Sequence, residues 1–507
     1  MKTAPTIDDF SATYESAAPQ VVWTSLIADL ETPVSAMLKL AHNRPYSFLL
    51  ESVEGGAVRG RYSIIGLDPD IIWRVVDDKV EINSNATVDP DRFEPSEEAP
   101  LDGLRSLLAR SRINLGPELP PMASGVFGYL DYDMVHLMED LPADNPDVFG
   151  LPQSIFIRPT IMAVFDAVKD EIIVLTPVWP TAEMTASSAY DQACARLSGI
   201  LDKLADPLDY ATVTYDSDIS LDVEPVSNMS KQAYMDKVVR AKEYIAAGDI
   251  FQVVLSQRFE IPFDLPSFAL YRALRRVNPS PFLFYLNFGN FAVIGSSPEI
   301  LVRVRDGTVT IRPIAGTRRR GHTPADDRAM AEELINDPKE LAEHLMLLDL
   351  GRNDVGRVAK IGSIEVTDKF SLEYYSHVMH ISSNVEGKLD DQHDAISALV
   401  AGFPAGTVSG APKVRAMEII DELEEERRGI YAGCVGYFSA NGDMDTCIAL
   451  RTTIVKDGKM YIQAGAGVVA DSIPELEHKE CVNKARAAIT AAEEAFRFSS
   501  SQKIKSN

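Results

Sequence analysis

Cysteine is scarce in this sequence. Its 507 residues hold four, Cys194, Cys434, Cys447 and Cys481, scattered and without CxxC spacing. That argues against a disulfide frame or a zinc site and suits a reducing cytoplasm. Positive charge is in deficit: 49 Lys and Arg stand against 75 Asp and Glu, a formal net charge of −26. Such a field repels nucleic acid and anionic membranes. An anionic small-molecule substrate would therefore need a local cation, a metal or oriented backbone N–H groups. No apolar run approaches the ~20 residues that span a bilayer. The stretch Met1 to Ser16 lacks the basic-then-apolar layout of a signal peptide, and no internal repeat is present.

What the chain does have is length enough for two domains. Ser84 to Pro100 reads as a polar loop. A second polar stretch, 206–227, follows a helix expected to end near Leu204, and it marks the boundary. The expected organisation is an amino-terminal lobe, 1–205, a linker, 206–227, a catalytic domain, 228–498, and a tail, 499–507. In the second half, Ser230 can cap a helix that Gly248 ends, and a strand follows from Ile250 to Phe259. Two-residue turns are expected at Gly289-Asn290, Asp306-Gly307, Asn441-Gly442 and Asp457-Gly458. Helices should start at Thr323-Pro324 and Asp337-Pro338. Antiparallel hairpins interspersed with helices indicate an α+β fold rather than a doubly wound parallel sheet.

Several motifs invite chemistry. Gly465-Ala466-Gly467-Val468-Val469-Ala470 imitates a dinucleotide fingerprint, but Asp471, Ser472 and Pro474 interrupt the helix that such a site opens. A glycine-rich turn whose amides face a carboxylate fits better. Cys434 with His478-Lys479-Glu480 imitates a glutaminase triad; a strand through Cys434 and Tyr437, burying the thiol, is the plainer account. Glu340 and Glu343, and Glu477 and Glu480, stand at i,i+3 in two helical contexts. One glutamate from each could hold magnesium, while Asp337-x-x-Glu340 also reads as a capping box. His377 and His380 fall in a strand-like run, Tyr374 to Val385, where residues three apart face opposite ways. Gly316 to Gly321 is a basic island, either a solvated turn or an anion attractor.

Ordered segments resemble the chorismate-utilising enzymes, most closely the anthranilate synthase large subunits. They are Gly248 to Arg258, Asn278 to Phe282, Ser297-Pro298-Glu299, Arg312 to Thr317, Asp349 to Asp354, Pro404 to Thr407, Gly410 to Lys413 and Gln463 to Gly467. Leu49-Leu50-Glu51-Ser52 extends the match to the amino-terminal part. The resemblance implies two facing antiparallel sheets with helices outside and an active site between them. It implies that Glu343 and Glu480 hold Mg2+ against a substrate carboxylate. Gly316, Thr317, Tyr431, Arg451, Gly465, Ala466, Gly467 and Lys484 are implied as substrate contacts. Glu299 is similar to the family's general acid and His380 to the group that assists pyruvate loss. Thr407 is their polar neighbour, and Gln252 completes the catalytic set. Leu50, Glu51, Ser52, Pro281, Phe282 and Leu283 resemble the halves of an L-tryptophan inhibitor site, with Leu283 where methionine is common.

Two positions separate the relatives. Those that add water carry a lysine base where this chain has Gln252, and one type of aminodeoxychorismate synthase carries a nucleophilic lysine where it has Ala315. Neither Gln252 nor Ala315 can do that work, so direct attack by ammonia is expected, the ammonia coming from a partner glutamine amidotransferase. The competing readings are a synthase that stops at the aminated intermediate, a silent tryptophan-binding subunit and, more distantly, a dehydrogenase.

Overall fold

The computed structural model describes residues 2–41, 44–54, 58–208, 224–375 and 378–501, with backbone alone at 53–54, 58–59 and 498–501. His377, most of the expected linker (209–223) and the tail from 502 lie outside the described residues. Strand pairing is antiparallel throughout the described residues. Two long strands, β3 (Val58–Val76) and β7 (Ser154–Asp166), lie side by side and carry two wings of sheet.

Wing one leaves β3 through β2 (Ser47–Glu54), β11 (Phe282–Asn287), β12 (Phe291–Ser297), β21 (Thr452–Lys456), β22 (Lys459–Val468) and β10 (Gln252–Pro262). Short β9 (Val226–Ser227) and β18 (Gly410–Ala411) finish it. Wing two leaves β7 through β6 (Gly125–Leu130), β19 (Cys434–Ser439), β20 (Met444–Ile448), β13 (Ile300–Arg305), β14 (Thr308–Ile311) and β17 (Val378–Lys388). β15 (Ile314–Arg319) and β16 (Glu365–Tyr374) both pair with β17. β8 (Glu171–Val178) and β1 (Gln20–Ile27) extend β7; β4 (Lys79–Asn83) and β5 (Glu94–Ser96) extend β3. The β3–β7 pairing slips between Pro69 and Ile71, an irregularity that lets one strand pair feed two sheets.

The wings face one another through interlocked side chains. Phe48 on β2 stacks on Phe127 on β6 with centroids 4.6 Å apart, and Tyr129 on β6 meets Phe288 and Phe291 edge-on. These rings share one core with Phe284, Val293 and Val435. Helices close the outside. Wing one carries α5 (Lys231–Ala247), α6 (Ser267–Val277), α10 (Lys413–Leu423) and α11 (Pro474–Ser501); wing two carries α7 (Pro324–Asn336), α8 (Pro338–Gly356) and α9 (Ala395–Gly402). α1 (Ile7–Glu15), α2 (Pro33–Ala41) and α4 (Ala186–Ala205) cluster over β1, β8 and the β2–β3 pair, and α3 (Pro100–Arg110) packs on β3 and β4. Segments 1–205 and 228–498 share the β2–β11 and β6–β19 ladders, so the two halves of the sequence interleave.

Local chemistry sets the element ends. Ser230 accepts the Ala233 N–H and starts α5, and Thr323 with Asp326 forms a reciprocal capping box on α7. The Asp337-x-x-Glu340 box is only half made. Asp337 accepts from the Lys339 and Glu340 amides, but the Glu340 carboxylate turns to Arg318, 2.9 Å away. The basic island is likewise no solvated turn. It runs through β15, where Arg318 bridges Glu333, Asp337 and Glu340 while Arg320 grips Asp327.

Asp306-Gly307 and Asp457-Gly458 are two-residue turns with positive φ at both positions. Across Gly289-Asn290 the Phe288 amide donates to the Phe291 carbonyl at 3.0 Å, whereas Asn441-Gly442 sits in a longer loop that the Ser439 amide closes on the Asp443 carbonyl at 2.8 Å. The Asn287 and Asn441 side chains accept from backbone amides two residues on.

Because the Phe48–Phe127 stack joins the wings, Phe127→Ala should cost about 3–5 kcal/mol. Its thermal midpoint should fall by several degrees, while Ile361→Ser, at a fully exposed position, should leave it unchanged. Equal midpoints for the two variants would show that the wings do not depend on this contact.

Candidate active site

The chain crosses from wing one to wing two at Ser297-Pro298-Glu299, between β12 and β13, and returns at Ala449-Leu450-Arg451, between β20 and β21. Charged side chains at both crossings are therefore carried into the seam. Glu299 is buried, 5 % exposed. The Thr407 hydroxyl reaches both its carboxyl oxygens at 3.2 Å, and the Ile314 amide donates at 3.4 Å. Burial pushes its pKa up to about 8, against the opposing pull of Ile314, Thr407 and the Arg451 charge. The carboxyl is thus largely protonated at neutral pH. Arg451 adopts φ 49° at the return crossing. Burial lowers its pKa, partly offset by Tyr375 and Glu299. Among the described residues no carboxylate forms an ion pair with it.

His380 on β17 stands opposite Thr317 on β15. Its Nδ1–H donates to the Gly316 carbonyl at 3.1 Å, with the Thr317 hydroxyl 3.0 Å from the same nitrogen. Burial first, then the Arg451 charge, takes its pKa down to about 4. The ring is neutral at pH 7, and with the proton on Nδ1 the Nε2 lone pair is free to act as a base. The Tyr374 to Val385 run is two strands, β16 and β17, which places His380 on the second of them. Tyr375, between those strands, was not singled out by spacing, since a tyrosine pair in a strand reads as sheet surface. It is buried, meets the His380 ring edge-on at 5.4 Å, and donates to Glu373 at 2.6 Å.

The facing wall belongs to wing one. Gly465, Ala466 and Gly467 are not a turn; they continue β22 and pair with Ser256, Leu255 and Val254 of β10. The β21 ladder stops at Thr453↔Ile462, which leaves the other edge of this glycine run without β21. Side chains crowd it: a Cβ at Gly465 would lie 2.7 Å from the Tyr431 hydroxyl, and one at Gly467 would lie 2.6 Å from Gln252 Nε2. Gln252 Nε2 donates to Glu343 at 3.1 Å, while its Oε1 is buried without a partner. Lys484 donates to the Gly465 carbonyl at 2.9 Å and pairs with Glu480 at 2.8 Å. Burial raises the pKa of Glu343, with Glu340 and, less, Glu480 adding to the rise. The Gln252–Glu343 bond joins β10 of wing one to α8 of wing two, so the two walls meet in one site.

Most of the expected residues therefore converge: Glu299, His380, Thr407, Gly316, Thr317, Arg451 and, on α8, Glu343 from one side, and Gln252, Glu480, Lys484, Tyr431 and the glycine strand from the other. The inhibitor-site candidates lie elsewhere, on the β2–β11 pair, with β11 three strands from β22. Register places Ser52 opposite Phe282, Glu51 opposite Leu283 and Leu50 opposite Phe284. Alternation then puts Leu50, Ser52 and Phe282 on one face and Glu51 and Leu283 on the other. The Glu51 carboxylate is buried and held by Tyr271 and, through two bonds, by Arg275. Cys434 is a buried thiol within β19, its pKa pushed up to about 12 by burial, which does not suit a nucleophile.

Comparison with known proteins agrees with this architecture. The chorismate binding enzyme family matches residues 64–490. Anthranilate synthase component 1 of Cereibacter sphaeroides is 56% identical over 493 residues, covering 97% of this chain and 98% of the relative. The protein of the same name from Pseudomonas aeruginosa is 47% identical over 469 residues, covering 92% and 94%. Among solved structures, anthranilate synthase component I from Streptococcus pneumoniae aligns with TM-score 0.75 at 36% identity, covering 91% of this chain and 98% of that one. The menaquinone-specific isochorismate synthase of Escherichia coli shares the fold, with TM-score 0.69 at 19% identity, covering 96% and 98%. The chain therefore belongs to the chorismate binding enzyme family, among its anthranilate synthase component 1 members.

Proposed function

We propose that the chain is a lyase of the cytoplasm that converts chorismate and ammonia to anthranilate and pyruvate, and that a glutamine amidotransferase partner supplies the ammonia. The observation that carries this is the pairing of a protonated Glu299 with a neutral His380 in one seam. Ammonia bonds to the ring carbon beside the carboxylate, the ring double bonds shift, and the ring hydroxyl leaves as water with the Glu299 proton. His380 Nε2 then takes the proton from the aminated carbon, the ether bond to the enolpyruvyl group breaks, and protonation of that group gives pyruvate. The ring becomes aromatic, which drives the second step. Arg451 suits a bidentate grip on a substrate carboxylate. Gln252 offers an amide where water addition would need a base, and Ala315 offers no amine.

The donors fit magnesium. Glu343 and Glu480 offer the hard oxygen donors that magnesium takes, and burial, then Glu340 and least Glu480, raise the Glu343 pKa. They would hold Mg2+, which when bound would neutralise the ring carboxylate. The relatives' designation as component 1 supports a second component carrying the glutaminase, and the buried Cys434 is consistent with that division.

Feedback inhibition by L-tryptophan belongs to the same reading. Leu50, Ser52 and Phe282 share a face that suits an indole, with Pro281 at its edge. Glu51 is engaged by Arg275 and would brace the strand rather than bind the amino group by its side chain. Occupancy must then lower chorismate affinity, and chorismate must lower tryptophan affinity by the same factor.

The purified chain with chorismate, Mg2+ and an ammonium salt should form anthranilate, followed by fluorescence, and should form none with glutamine alone. Glutamine-dependent product without a partner would contradict the division of labour.

Glu299→Gln should lower kcat by roughly 10²–10⁴-fold. With neutral ammonia held constant, wild-type kcat/KM should fall above about pH 8 as Glu299 ionises and below about pH 4 as His380 takes a proton. Folding raises the Glu299 pKa from 4.5 to about 8, so the folded state retains a proton that the unfolded state loses, and stability falls as pH rises through that window. Glu299→Gln should escape this loss, its excess stability over wild type growing from pH 5 to 8 in denaturant titrations. A variant that is both inactive and less stable at pH 8 would place Glu299 among purely structural residues.

Calorimetric titration of tryptophan should show weaker binding when chorismate and Mg2+ are present and none in Ser52→Phe. Unaltered affinity in that variant would remove the site from this face.

A further inference from the structure

The Glu424–Arg428 pair lies outside every residue given a role so far. Arg428 is the second largest fully buried side chain among the described residues, 2 % exposed. Its guanidinium makes a two-bond contact with Glu424, Nη2 to Oε1 at 2.6 Å and Nε to Oε2 at 2.9 Å. Two further donors go to backbone carbonyls: Nη1 reaches Val408 at 2.8 Å and Nη2 reaches Val254 at 2.7 Å. The rings of Tyr132 and Tyr431 lie 4.8 and 5.6 Å from the guanidinium carbon. Glu424 in turn accepts from the Ser256 amide at 2.8 Å and hydroxyl at 3.0 Å.

Val408, Val254, Ser256 and Tyr431 adjoin or belong to the site. Val408 follows Thr407, whose hydroxyl holds Glu299. Val254 lies opposite Gly467 and two residues from Gln252; Ser256 lies opposite Gly465. Tyr431 faces Gly465. We propose that Arg428, held in place by Glu424, is the positioning residue that fixes the Thr407 loop, the glycine strand and Tyr431 in one register. A buried ion pair is a weak source of net stability, because desolvation offsets its attraction. Its planar fork, by contrast, sets directions that lysine cannot reproduce. Two carbonyls from separate segments, plus a carboxylate that holds one of those segments again at Ser256, are the geometry of a spacer.

The inference rests on the reaction proposed above and has its own signature. Thr407 donates to Glu299 and favours its ionised form. A loosened Thr407 should therefore move the alkaline limb of the kcat/KM profile upward, and Thr407→Val should do so directly.

The test compares wild type, Thr407→Val, Arg428→Lys and the double variant Glu424→Gln, Arg428→Met on the full chain with chorismate, Mg2+ and ammonia. Removing both charges avoids stranding one of them, and circular dichroism confirms which variants fold. Arg428→Lys keeps the charge and serves if the double variant does not fold. We expect kcat to fall at least tenfold in each folded Arg428 variant, KM for chorismate to rise, and the alkaline limb to shift in the same direction as in Thr407→Val. A folded Arg428 variant with wild-type kcat, KM and alkaline limb overturns the inference, as does a loss of thermal stability alone. If wild type makes no anthranilate, the proposed reaction fails instead, and the two failures are distinct.

Discussion

A carboxyl group carried into the seam between two sheets, away from water, is the constraint on which the arrangement turns. Glu299 has two weak donors, Thr407 and Ile314, and one distant cation, Arg451; these are too little to offset burial, so it keeps its proton. The same burial, reinforced by Arg451, strips the proton from His380. One dry compartment thus sets an acid and a base in opposite protonation states at the same pH, which is what stepwise protonation of a leaving hydroxyl and removal of a ring proton require.

The fold produces that compartment by crossing between wings. Each crossing interrupts sheet pairing, and a residue at an interruption is free to turn inward: Glu299 on the way out, Arg451 at positive φ on the way back. The facing wall is a strand whose side chains have been removed. Gly465 and Gly467 bring backbone close to Tyr431 and Gln252, and the strand edge lacks a β21 partner there. Helices α8 and α11 then deliver Glu343 and Glu480 from opposite wings. Acid, base, cation and carboxylates so derive from both halves of the sequence's second part, held by a core to which the first part contributes Phe48 and Phe127.

How much of this was legible in the sequence depended on the range of the interaction. Helix starts at Ser230 and Thr323 and the Asp306-Gly307 turn follow from neighbouring residues, and they were readable. So was the α+β class, from recurring hairpins. The glycine run was misread as a turn because its glycines answer to Tyr431 and Gln252, which are distant in sequence. The Asp337-x-x-Glu340 box was half wrong because Arg318, on another strand, claims the second carboxylate. The arginine island could be read as a solvated turn or an anion attractor because the acids that neutralise Arg318 and Arg320 stand on α7, on α8 and at the Asp337 cap between them rather than beside them. Spacing alone could not gather Glu299, His380 and Arg451, which are far apart in the chain; likeness to chorismate-utilising enzymes did so. Tyr375 and Arg428 carried no local signal at all.

The central claim is that Glu299 stays protonated where ordinary glutamates are ionised. Infrared difference spectra of the ligand-free protein between pH 3.5 and 9, with Glu299→Gln as the subtraction, read that carboxyl directly. The account predicts a protonated carboxyl band that is lost with a midpoint near 8 and is absent from the variant. A band lost near 4.5, the ordinary glutamate value, would contradict it.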